Sequence, residues 1–228
     1  MIGIHIIPEQ KINWERLNLM TLCRELGYAP WVSAMSVLGG LVGGPEGGAV
    51  AVTANFMEQL SMSGGKMGSI FVSDLQGANN SREALWALSA ALRALERNLG
   101  VATGTPGSNT SSVFSLEEDI CRSAALALVL TASGGAYNWA AGKSPEDTKI
   151  QHEVMAKTAG LSREGANARL NALYRLIEDL AKEGTTPLNS QQEFRFPKLY
   201  DVATGEPKPE YLQGCRRARE LLTEVGVL

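Results

Sequence analysis

Short apolar runs alternate with amphipathic helical stretches along this chain, and that alternation restricts its possible folds more than any other feature. Residues 2–7 are Ile-rich, interrupted by Gly3 and His5 and stopped by Pro8, and predict a buried strand. Asn13 then stands as N-cap before a helix over 14–26, whose apolar stripe is Leu17, Met20, Leu22, Cys23 and Leu26. A strand-like run at 30–38 leads into a glycine-rich loop (Gly39, Gly40, Gly43, Gly44) and a helix over 45–62. The pattern repeats with a strand at 67–72 and an Ala/Leu helix at 81–98, then a weaker strand at 101–103. A helix capped by Ser115, with Glu118 placed for a capping box, follows to 131, and a fifth strand falls at 135–140.

Strand starts recur every ~29–37 residues, near the ~31 per unit of an eight-unit barrel of about 250 residues. Strands separated by helices at this interval pair in parallel, because a parallel connection needs a crossover of a dozen residues or more. After residue 145 the alternation stops, and helices are predicted over 145–159, 162–182 and 209–223. The expected fold is therefore α/β: a partial TIM-like (β/α) barrel of about five parallel βα units with a C-terminal helical extension. Residues 1–144 form the βα portion in this reading and 145–228 the extension packed on it. A closed barrel needs eight strands, so the sheet either stays open and doubly wound or takes its missing strands from elsewhere.

Composition excludes several functions. A net charge of −3 gives no general attraction to nucleic acid or anionic membranes. The Arg216, Arg217 and Arg219 cluster lies with Glu220 and Glu224 in a helical stretch and reads as a solvated face. Cys23, Cys121 and Cys215 are far apart, and only two histidines accompany them, so neither a metal site nor a disulfide framework is expected. That usage fits a reducing cytosol, and with no signal-peptide pattern or membrane-length apolar run the predicted location is cytoplasmic.

In parallel βα folds the reactive groups lie where strands run into loops. The substrate- or partner-facing candidates are His5, Ser33, Met35, Glu46, Asp74, Gln76, Asn79, Thr105 and Asn138. His5, inside an apolar strand, fits a hydrogen-bonded core residue better than a catalytic base. Asp74 suits loop capping as well as acid–base work, and the other polar residues can bind ligand or satisfy loop backbone. The glycine loop carries neither the P-loop nor the dinucleotide fingerprint, so its glycines are read as permitting close backbone approach to a helix or a flat ligand. No catalytic triad, paired carboxylates or metal cluster can be assembled, and the catalytic residues are left unassigned.

Particular residues add a resemblance. Glu153-Val154 with Thr158-Ala159-Gly160, Ala172-Leu173-Tyr174, Tyr200-Asp201-Val202, Glu210-Tyr211 and Ala218-Arg219 resemble the monomethylamine:corrinoid methyltransferases. Gly39-Gly40 with Gly43-Gly44, Arg82-Glu83 with Leu85, and Thr131-Ala132-Ser133-Gly134 fall in the same order upstream. The likeness covers nearly the whole chain but only the C-terminal half of the family. It implies a TIM barrel that passes a methyl group from a small methylated amine to a corrinoid (cobalamin) carried by a partner protein, with no cofactor bound directly. The resemblance also implies that the family's pyrrolysine lies upstream of Met1, where an amber codon read as a stop would truncate the gene product. Family glutamates fall near Gly3 and at Ser33, and a family Gln and Tyr near Thr105 and Gly107; none of these side chains is present, so no catalytic role is carried over. The expected partners are a corrinoid protein, a small methylated amine and further copies of the chain in a homo-oligomer. The alternative is a non-catalytic half-barrel subunit completed by dimerisation or by a separate N-terminal half, and a third reading is an open-sheet enzyme built on Asp74 and His5.

Overall fold

A computed structural model describes residues 2–4, 12–28, 30–139, 144–189, 193–194 and 196–228. The chain forms two compact units, one of Met1–Pro106 with Ser133–Trp139, the other of Gly107–Ala132 with Ala140–Leu228.

The first unit holds five strands, β1 (Ile2–Ile4), β2 (Pro30–Val37), β3 (Met67–Ser73), β4 (Ala102–Pro106) and β5 (Tyr137–Trp139). They form one sheet in the order β1-β2-β3-β4-β5, every neighbouring pair parallel. Sequential order has no point at which the winding reverses, so the sheet is barrel-like and not doubly wound. Among the described residues β1 pairs only with β2 and β5 only with β4, which leaves both sheet margins open.

Helices α1 (Trp14–Glu25), α2 (Pro45–Ser63) and α3 (Arg82–Leu99) belong to this unit. Asn13 caps α1 by accepting from the Arg16 N–H (3.0 Å), and Met20 and Cys23 pack with Leu17 and Met62. In α3, Leu85, Leu88, Leu92 and Leu95 recur at helical spacing and are buried. Ser81 starts that helix and Gly100, with φ near +60°, ends it. The glycine loop brings α2 close to β2: a Cβ on Gly47 or Gly48 would overlap Val42 or Leu38, and Ser36 Oγ donates to Gly48 O (3.1 Å).

The second unit is helical, with α4 (Leu116–Ala132), α5 (Pro145–Thr158), α6 (Arg163–Glu183), the short α7 (Phe196–Leu199) and α8 (Pro209–Glu224). From Ile120 to Leu130 only Arg122 escapes full burial, so α4 is apolar all round and must be central. α5, α6 and α8 pack against it. Thus α4, which stands between two strands in sequence, has its neighbours among the C-terminal helices.

Ser115 Oγ caps α4 by accepting from the Glu118 N–H (3.0 Å). Glu118 departs from a capping box, because its carboxylate accepts from the Phe114 N–H (2.7 Å) and not from Ser115. It also takes Arg122 Nε (2.8 Å), which gives a nearly fully buried carboxylate charge-assisted partners. Within the arginine cluster, Arg219 forms a two-pronged pair with Glu153 of α5 at 3.0 and 2.9 Å.

Candidate functional site

Side chains alternate across a strand, so each face of the sheet can be read from a few contacts. A Cβ on Gly68 would meet Phe56 of α2, which fixes Val32, Gly68 and their partners in register on the helix-covered face. Ala34, Ser36, Ile70 and Val72 share that face with Thr105 and Asn138. The opposite face carries Trp31, Ser33, Met35 and Val37 from β2, and Ser69 and Phe71 from β3. Gly104, Tyr137 and Trp139 complete it from β4 and β5. In a barrel this second face lines the interior.

One row across that face runs Ser33–Ser69–Gly104–Tyr137. Ser33 Oγ and Ser69 Oγ share a hydrogen bond of 3.2 Å, and both residues are buried. The Tyr137 ring lies over Gly104, where an added Cβ would sit 2.5 Å from Tyr137 Cε2. The Tyr137 hydroxyl donates to Gly68 O (2.6 Å) and accepts from Trp31 Nε1 (2.6 Å). Burial pushes this phenol above its ordinary pKa, and the Trp31 hydrogen bond offsets part of that rise. Trp139 meets Trp31 edge to face, with centroids 5.8 Å apart and planes at 78°. Met35 and Trp139 are open to solvent, 50% and 41% exposed.

At the C-terminal rim, Asp74 caps the loop after β3, its Oδ1 accepting from the Gln76 and Ala78 N–H groups at 2.9 Å each. Leu41 and Leu75 stand out from the loops after β2 and β3, 92% and 71% exposed, and Gly39 with φ near +82° lies against Leu75.

The candidates therefore divide. Ser33 and Met35 lie on the face opposite the helices, Ser33 buried and Met35 half exposed. Thr105 is buried and, with Asn138, lies on the opposite side, because their positions are one residue out of phase with Gly104 and Tyr137. Glu46 is an exposed residue in the first turn of α2, where a carboxylate complements the helix dipole. Asp74 and Gln76 share the β3 loop, Asn79 is buried further along it, and His5 falls outside the described residues. No group of three His, Cys, Asp or Glu side chains could hold a metal among the described residues, and no described helix is long and apolar enough to cross a membrane. Reading polar residues at strand ends misses Trp31 and Ser69, and in β5 it selects the polar Asn138. The period-2 phase of Trp31, Ser33 and Met35 is the available signal, but relating it to Tyr137 and Trp139 requires the register across three strands.

The family model "Monomethylamine methyltransferase MtmB" matches residues 4–227. The chain belongs to this family. Two solved structures share its fold, the Methanosarcina barkeri monomethylamine methyltransferase (MtmB) and the hydroxylamine MtmB complex, each with a TM-score of 0.86 at 20% identity. Each comparison covers 99% of this chain and 50% of the other, so the chain spans half the length of the relatives it matches. No curated protein matches it. Family membership agrees with the resemblance carried by the C-terminal motifs and with the barrel-like strand order.

Proposed function

We propose that this chain is the C-terminal half of a corrinoid-dependent methylamine methyltransferase and works with a complementary half that supplies the remaining strands. The observation that carries this reading is the family match over residues 4–227, joined to a parallel sheet whose two margins have no partner among the described residues. Five strands need three more to reach eight, whereas two copies of the chain would offer ten, so a complementary half fits better than self-pairing. The methyl donor is a small methylated amine facing the side of the sheet opposite the helices, and the acceptor is a corrinoid held by a partner protein. The rim suits a flat apolar macrocycle: Leu41 and Leu75 are exposed there, and Gly39 and Gly43 keep the loop after β2 free of bulk.

The experiment is reconstitution. The chain is purified with the family's other half and a corrinoid protein, and methylation of cobalt is followed by visible absorbance on adding methylated amines. Methylation that requires both halves supports the proposal; none with any methylated amine, despite a stable complex, refutes it.

A second reading, a non-catalytic half-barrel subunit, is favoured by the strand side chains of the face opposite the helices. Those of β2 to β5 include neither a carboxylate nor a cationic group, so nothing there supplies fixed charge for polarising an amine adduct. Complex formation without methyl transfer would select it.

A further inference from the structure

We infer that Leu19, Leu22 and Leu26, along α1, form the seat for an amphipathic helix of the complementary half. This rests on the complementary-half reading above and names the surface by which that half is held. Helix α1 has two apolar sides. Met20 and Cys23 are buried on one, and Leu17 and Met62 of α2 pack against them. Arg24 lies at the end of α2, where a Cβ on Gly64 would meet its guanidinium carbon at 3.5 Å. At about 100° per residue, Leu19, Leu22 and Leu26 stand roughly half a turn round the helix from Leu17 and Arg24. They therefore point away from α2, and they are 49%, 54% and 64% exposed.

What covers that stripe follows from where α1 stands. It connects β1 to β2, and α2 connects β2 to β3, so α2 takes one flank of α1 and the other faces the open margin of β1. Crossovers between parallel strands share one hand, so successive helices lie side by side on one face of the sheet. A strand pairing with β1 thus brings its own helix alongside α1, against the three leucines. The matched relatives hold as much chain again as the half matched here, enough for that strand and its helix. Glu15 stands one turn before Leu19 on the same line, so the four residues have the spacing of a helix–helix seam. The occupant is a parallel helix with an apolar stripe and a Lys or Arg opposite Glu15. A second copy fits less well, since a two-fold axis sets Glu15 against another Glu15 or against Leu26.

The test measures the affinity of the whole chain for the family's other half by titration calorimetry, with native mass spectrometry of the chain alone. Leu22→Asp puts a charge in the middle of the seam and should weaken association about tenfold or more. Leu22→Met keeps the apolar volume and should stay within about threefold of wild type. Thr21→Asp sets the same charge one residue away, off the stripe, and should also stay within about threefold. Both positions are exposed, so all three variants should keep the wild-type circular dichroism spectrum and urea midpoint. Undiminished binding by Leu22→Asp, or equal losses in the two aspartate variants, overturns the inference. A chain that dimerises alone and turns monomeric with Leu22→Asp overturns it too, by making a second copy the occupant. Failure of the reading beneath it looks different: the wild-type chain does not bind the other half at all, which removes this inference with it.

Discussion

Replacing Gly104 by Ala puts a methyl group where the ring and carbonyl of Tyr137 already lie. The new Cβ would stand 2.5 Å from Tyr137 Cε2 and 2.5 Å from Tyr137 O, distances that real Cβ atoms do not sustain. The ring must leave Gly104, and the hydrogen bonds from Trp31 Nε1 and to Gly68 O leave with it. Overpacking costs roughly 1–3 kcal/mol and each of the two neutral hydrogen bonds about 0.5–1.5 kcal/mol, so a loss of about 2–6 kcal/mol is expected. All four tryptophans lie in the unit that holds the sheet, so urea unfolding followed by tryptophan emission reads that unit alone. A double-mutant cycle isolates the cause. Tyr137→Ala removes the obstructing ring, so Gly104→Ala should cost less in that background, by about 1 kcal/mol or more. Rescue stays partial, because the Tyr137 carbonyl is still in the way. A cost below about 0.5 kcal/mol, or strict additivity of the two changes, would refute the packing described for this face.

Other perturbations address other parts of the chain. Glu118→Ala removes the acceptor for the Phe114 N–H and for Arg122 at the start of α4, and should destabilise the helical unit by about 2–4 kcal/mol in thermal circular dichroism melts. Asp74→Ala should lower stability by about 1–2 kcal/mol through two lost backbone bonds, and Asp74→Asn by clearly less, since its amide oxygen still accepts; equal losses would mean that the carboxylate charge is what matters. Burial pushes the Cys121 thiol up to about 12 and Cys215 to about 11, while in the unfolded chain thiols titrate near 9. Above pH 9 the unfolded chain thus releases protons that the folded chain keeps, so stability falls as pH rises, by about 1.4 kcal/mol per pH unit for Cys121 alone. Urea midpoints that stay level from pH 8 to 11 would contradict this.

Much of the fold is legible in the sequence because its local signals agree with one another. Pro45 and the Gly64 stop bound α2, Ser81 and Gly100 bound α3, and Ser144 and Ser162 cap the next two long helices after α4. Strand existence and strand number follow from apolar runs of the right length. Strand order does not, since nothing local records which neighbour a strand chooses. The contrast between a barrel-like and a doubly wound sheet therefore emerges only from the pairing itself. The site is less legible for a related reason. Trp31 and Tyr137 are 106 positions apart and meet only through the register of β2 to β5. Selecting polar residues at strand ends picks Thr105 and Asn138, yet period-2 alternation sends these to the helix-covered side. Glu118 shows the same limit on a smaller scale: its spacing from Ser115 announces a helix start, but Phe114 receives its carboxylate.

That the sheet is an unfinished barrel, completed by strands from a complementary half, is tested most directly by native mass spectrometry with backbone hydrogen exchange. The chain is measured alone and after mixing with the family's other half. One-to-one association should accompany new protection at Tyr137–Trp139, the strand at one open margin. A chain that stays monomeric in the mixture, with those amides already protected when it is alone, would contradict it.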